Sequence, residues 1–423
     1  ASDGTVSTIT ANGSVAMTSM LFIIEAVALG FILRYAKLNK WINTAIAVVL
    51  LVAAIVIGLA CPIYASQDWW HIIVFIYIMI ASVVPIWALL QPRDYLNSYL
   101  LVAMIVAAVI GVFVANPSIN LPAFTGFEVD GQYLFPILFV TIACGAVSGF
   151  HSLVSSGTAS KQIKNEKDML PVSFGAMLME SLLAVVALIA VASFATGAAA
   201  EQGLTTPPQI FAGGVSNFLA TIGLPSDVVF TLINLAVSAF ALTSLDSVAR
   251  VGRLSFQELF LDASIKDENI GPVRKVLTNK YFATIITLGL AYALAKAGYA
   301  AIWPLFGSAN QLLSALALIA CAVFMKRTKR KSAMMYIPIA VMVAVTFTAL
   351  GLTIYQKSAA IITAASTNVA ADALQLVFAV LILGLGVCVV IQGVKRLLSR
   401  NNASGPDNKT DDPAVKTAEQ ANA

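Results

Sequence analysis

Residues Cys144–Thr158 read CGAVSGFHSLVSSGT. They close an apolar run that begins near Leu134 and is long enough to cross a bilayer. Yet the stretch holds three glycines, five hydroxyl side chains and His151, one of only two histidines in the chain. Glycine weakens a helix, and serine and threonine compete for its backbone. On a continuous helix, Thr141, Gly145, Ser148, Ser152 and Ser155 would form one polar stripe flanked by Cys144 and His151. Two readings follow. In the first, Gly145 and Gly149 form a small-residue pair for close helix packing, and the hydroxyls bond to their own helix or a neighbour. In the second, the helix is interrupted near mid-membrane, and unwound N–H and C=O groups face a substrate or an ion. The second reading makes Gly145, Ser148, Gly149 and Ser152 binding residues.

The rest of the chain sets these residues in a membrane. Of 423 residues, 59% are hydrophobic and 11% charged, against about 25% charged in a soluble protein. Eleven apolar runs stand out, at 17–34, 41–60, 70–90, 98–115, 134–154, 171–196, 226–248, 281–296, 302–324, 334–355 and 373–394. The expected fold class is all-α, a polytopic membrane helix bundle over 1–396, followed by a disordered cytoplasmic tail over 397–423. With the N-terminus outside, 23 of the 25 basic residues fall in inner loops or the inner tail, leaving Lys296 and Lys357 outside. Two smaller features complete the map. Residues 208–222 have the apolar spacing of an amphipathic helix lying on the membrane surface. Residues 250–278 read as a charged inner loop, in part helical.

Nothing points to cofactor chemistry. Cys61, Cys144, Cys321 and Cys388 are far apart and read as apolar fillers, with no metal-ligand spacing. No phosphate-binding loop appears, which disfavours an ATP-driven pump. The basic residues are scattered, which excludes a nucleic-acid surface. A membrane enzyme would need clustered catalytic groups, and none is visible.

Several polar residues sit deep in apolar runs. Glu180, in MLMESLLAVV, lies about ten residues into its run, and Glu25 is similarly deep. Ionising a carboxyl in hydrocarbon costs several kcal/mol, so each is expected to be buried and either protonated, paired or turned to water. Glu180 and His151 are the candidates for carrying a proton. In TSLDSVARVGR, Asp246 and Arg250 are spaced i, i+4, as a helix-end ion pair or an inner gate. In WPLFGSANQ, Asn310 and Gln311 need partners, and Asn310 suits packing or substrate contact equally. LQPRDYLN reads as an inner turn broken by Pro92.

Taken together, LQPRDYLN, TIACGAVSGFHSLVSSGT, GAMLMES, LTSLDSVARVGR and WPLFGSANQLL resemble, in this order, motifs of the carbon starvation protein A family. The resemblance runs from about residue 80 to 325. It implies a secondary transporter in the inner membrane, moving peptides, or pyruvate with protons, during nutrient limitation. That family is similar to the amino acid–polyamine–organocation superfamily, which implies an inverted-repeat (LeuT-like) architecture of five plus five helices with broken helices. Family members carry further spans before the matching region, so the resemblance also implies an N-terminally incomplete chain. The partners expected are a small-molecule substrate, protons and the lipid bilayer. A nutrient sensor with a transporter-like body is the alternative function.

Overall fold

The computed structural model describes residues 4–36, 38–129, 132–194, 197–261, 271–296, 299–363 and 369–398. The described residues are mostly helical. The helices are α1 (Gly4–Tyr35), α2 (Lys40–Ala60), α3 (Gln67–Val83), α4 (Leu90–Ala115), α5 (Phe139–Ala146), α6 (Gly149–Gly157), α7 (Ala176–Ala192), α8 (Ala198–Glu201), α9 (Pro207–Ala220), α10 (Ser226–Glu258), α11 (Pro272–Leu277), α12 (Lys280–Lys296), α13 (Tyr299–Arg327), α14 (Ala333–Ile362) and α15 (Val369–Leu398). One small hairpin, β1 (Glu128–Val129) with β2 (Gln132–Tyr133), lies between α4 and α5. The expected tail falls almost entirely outside the described residues.

Among the described residues, nine helices or helical stretches are long and apolar enough to cross a membrane. The other two expected spans appear as α3 and α12, of 17 residues each. At about 1.5 Å per residue each reaches about 26 Å, close to the hydrocarbon thickness of about 30 Å.

The helices pack in two groups. α1, α2, α4, α7, α9 and α10 surround one large apolar core, with α3 and α12 against α10. α5, α6, α13, α14 and α15 form the other group. The chain therefore leaves the first group at α5, returns to it at α7, and leaves again at α13.

Three expectations change. Residues 208–222 do not lie on a surface. α9 opens with a Thr206–Gln209 capping box and Pro207, then buries Phe211, Ala212, Gly213, Gly214, Val215, Ser216, Phe218 and Leu219 against α4, α7 and α10. Its small residues permit this. A Cβ on Gly214 would stand 2.8 Å from the Ala190 carbonyl oxygen of α7, so only glycine allows that approach. LQPRDYLN is likewise not a turn but the start of α4. Pro92 occupies its first turn, where a missing N–H leaves no helical bond unmade. And the loop expected from 250 begins later, because α10 runs on to Glu258. Its 33 residues reach about 50 Å, well beyond the hydrocarbon.

Candidate functional site

The helix through Cys144–Thr158 is broken. α5 ends at Ala146, Val147 and Ser148 are extended (φ −144°, ψ 101° and φ −115°, ψ 129°), and α6 starts at Gly149. The last carbonyls of α5 and the first N–H groups of α6 thus fall outside any helical ladder. The single polar stripe of a continuous helix is replaced by two faces.

α13 fastens both sides of the break. Asn310 Oδ1 accepts from the Phe150 N–H (2.7 Å) and from Ser148 Oγ (3.2 Å), while Asn310 Nδ2 donates to Cys144 Sγ (3.3 Å). Gln311, fully buried, donates from Nε2 to the Val140 carbonyl at 3.1 Å. Gly149 is buried on α13, where a Cβ would collide with the Asn310 carbonyl oxygen and Leu313. Ser152 Oγ donates to the Gly149 carbonyl at 2.6 Å. Of the residues expected at the site, Gly149, Asn310 and Ser152 are therefore engaged in holding the break. Ser148 shares that task through its bond to Asn310 but also borders open space, and Gly145 faces it.

Two cavities flank the broken segment, and Gly145 and Ser148 line the second. The first, of about 710 Å³, is lined by Tyr133, Thr141, Cys144, Trp303, Phe306 and Ser308, and extends to Lys357 and Gln375. The second, of about 630 Å³, is lined by Gly145, Ser148, His151, Lys164, Glu166 and Glu180. Both volumes fall in the range of small-molecule sites. Cys144 belongs to one cavity and Gly145 to the other, so the broken segment stands between them.

Of the three alternatives for Glu180, the structure gives an exposed side chain turned to the second cavity, where its Oε1 lies 3.8 Å from the place a Cβ on Gly145 would occupy. His151 is exposed to the same cavity. The second cavity lies between α5–α6 of one helix group and α7 of the other. A glutamate there has room beside it rather than packed protein, so a cavity that fills with water would remove the cost of ionising it.

The Asp246–Arg250 spacing does not give an ion pair. Asp246 Oδ2 instead accepts from Arg93 of α4 at 2.5 Å and from the Tyr77 hydroxyl of α3 at 2.7 Å, and both charged side chains are buried. Arg250 donates to the carbonyls of Ala81 and Val84 at the end of α3, and Arg253 to that of Ser82. The cause is direction: the end of α3 leaves its last carbonyls without helical partners, and these draw the guanidinium of Arg250 away from Asp246. The sequence offers Arg93 as an anchor of its segment to neighbouring helices, and it is one, but spacing could not name its partner, 153 positions away.

Fold and site together define a polytopic helical membrane protein with a broken helix set between two cavities. The sequence profile of the family described as carbon starvation protein CstA matches residues 4–203 and 194–349, and the chain belongs to that family. It is 30% identical over 345 residues to the peptide transporter CstA of Bacillus subtilis (strain 168), covering 71% of this chain and 54% of that protein. It is 31% identical over 379 residues to the pyruvate/proton symporter BtsT of Escherichia coli (strain K12), covering 67% of this chain and 51% of that protein. The chain thus spans about half the length of the curated relatives it matches. No solved structure matches it.

Proposed function

We propose that this chain forms the body of a secondary transporter that imports peptides or small carboxylates such as pyruvate, coupled to protons. The observation that carries the reading is the break at Val147–Ser148 with a cavity on each side. Alternating access needs one binding place reachable in turn from two sides. Helix ends there carry C=O groups that suit a cation, and N–H groups, those of Phe150 and His151 held by Asn310 and Ser148, that serve a substrate carboxylate when those bonds exchange. The names of the relatives supply the substrate classes.

In this reading Gly145 and Ser148 contact the substrate. Gly149, Ser152 and Asn310 are positioning residues that keep the segment unwound. Glu180, beside Gly145, takes a proton at its carboxyl from one side and releases it to the other, with His151 in the same cavity as relay. Asp246 and Arg250 tie α10 to α3 and α4, and act as a gate if those ties open during the cycle. The two helix groups would move against each other across the second cavity, in the five-plus-five inverted-repeat plan. The protein sits in the inner membrane with the N-terminus of this chain outside. The first cavity then opens outward and the second inward.

Glu180→Gln keeps the size of the side chain and removes its titration. In proteoliposomes containing the full-length protein, this change is expected to reduce uphill, proton-driven uptake at least tenfold while sparing substrate exchange. Full uphill uptake in this variant would make Glu180 structural and move the coupling group elsewhere.

A further inference from the structure

The outward cavity carries one feature that the broken helix does not use. Lys357 on α14 is the one charged residue among the described residues lining it. Its Nζ donates to Asp372 of α15 at 2.7 Å, and its side chain is 31% exposed. An ammonium has three N–H donors. Asp372 takes one of them and fixes the long side chain at the cavity wall, so less rotamer freedom is lost when a second acceptor arrives. One turn along α15 from Asp372, Gln375 lines the same cavity. It is 4% exposed, and its Oε1 accepts no hydrogen bond from the described residues. A buried acceptor left so is costly unless something donates to it. Trp303, Phe306 and Tyr133 line the same cavity and give it aromatic walls. A fixed cation, a buried acceptor and aromatic walls in one cavity make a binding site of a definite kind.

We infer that Lys357 and Gln375 form an outer docking subsite for the substrate's carboxylate. The Lys357 ammonium binds the carboxylate, and Gln375, whose Oε1 is shut off from solvent in this conformation, receives an N–H donor from any substrate that has one once its side chain turns into the cavity. The subsite rests on the transporter reading and adds a first stop before the break, whose wall the cavity reaches at Cys144. The carboxylate is common to peptides and keto acids. The N–H donor belongs to peptides alone.

The test uses the full-length protein and two probes, trialanine and pyruvate, with binding followed by titration calorimetry and flux by uptake into proteoliposomes. Lys357→Gln is expected to raise the KM for either probe that the protein carries by roughly tenfold or more, the loss of one charge-assisted hydrogen bond, with the maximal rate within about twofold. Lys357→Arg should restore most of the affinity. Trialanine amide should compete at least about tenfold more weakly than trialanine in the wild type, and this gap should collapse in Lys357→Gln. Gln375→Leu should raise the KM for trialanine more than that for pyruvate if peptides dock here. An equal effect on both removes the N–H role of Gln375. Unchanged binding in Lys357→Gln, or an amide gap that persists in it, overturns the subsite while leaving the transporter reading intact. Binding that depends on Lys357 without flux in the wild type does the reverse. A wild type that binds neither probe overturns the subsite.

Discussion

Gly145 and Gly149 stand four positions apart and meet opposite surroundings. At Gly149 even a methyl group has no room, because the Asn310 carbonyl and Leu313 occupy the place of its Cβ. At Gly145 the nearest atom to a new Cβ is Glu180 Oε1 at 3.8 Å, an ordinary contact. Gly149→Ala should therefore destabilise the protein by about 1–3 kcal/mol through overpacking, and Gly145→Ala should not. Thermal unfolding in detergent would read the difference, and equal melting temperatures would show that α6 and α13 do not approach this closely. The break itself was legible in the sequence, since glycines and hydroxyls crowd where an apolar helix should be uniform. Its fastening was only half legible. Asn310 and Gln311 are visible as amides in need of partners, but the partners lie 160 to 171 positions earlier in the chain, and no local pattern encodes that distance. Depth in the sequence run places Glu180 at mid-span but leaves open whether it is protonated, paired or turned to water, because depth along a run is not depth in protein. A residue halfway along a helix can equally face an aqueous cavity.

α9 shows the same limit at the level of a whole helix. Apolar residues at helical spacing announce a buried face without saying whether lipid or protein covers it. The signal that decides is the small-residue run Ala212–Gly213–Gly214 with Ser216, which suits helix-to-helix approach rather than a lipid surface. If α9 is at the centre of the core, Gly214→Val must push α7 away and should cost several degrees in melting temperature. On a surface helix the same change would be neutral. The tie between α4 and α10 permits a sharper test. Removing one partner of a buried ion pair leaves a charge without compensation and costs about 3–5 kcal/mol. Arg93→Met and Asp246→Leu should each destabilise by that order, and the double variant by clearly less than their sum. Additive losses would mean that the 2.5 Å contact contributes no coupling.

For the molecule as a whole, the positions of the expected spans match helices, whereas sidedness rests on charge alone. The two 17-residue helices, α3 and α12, make sidedness a question of parity. Asn39, Ser160 and Arg330 are exposed and lie in or beside three loops that the distribution of basic residues assigns to the cytoplasm. Between Asn39 and Ser160 the chain crosses four times if α3 spans, and three times if it does not. Between Ser160 and Arg330 the same holds for α12, provided that the buried α9 does not cross. All three positions share a side only when both short helices span. The four native cysteines would first be replaced, since Cys61, Cys321 and Cys388 are exposed. Asn39→Cys, Ser160→Cys and Arg330→Cys should then react with an impermeant maleimide in inside-out vesicles alone. Phe124→Cys, 62% exposed in the loop between α4 and β1, should react in intact cells. Labelling of Ser160→Cys from outside would reverse the orientation and, with it, which cavity opens to the outside. Ser160→Cys and Arg330→Cys on opposite sides would mean that α12 stops short of the far surface, an outcome its length of about 26 Å makes a fair test.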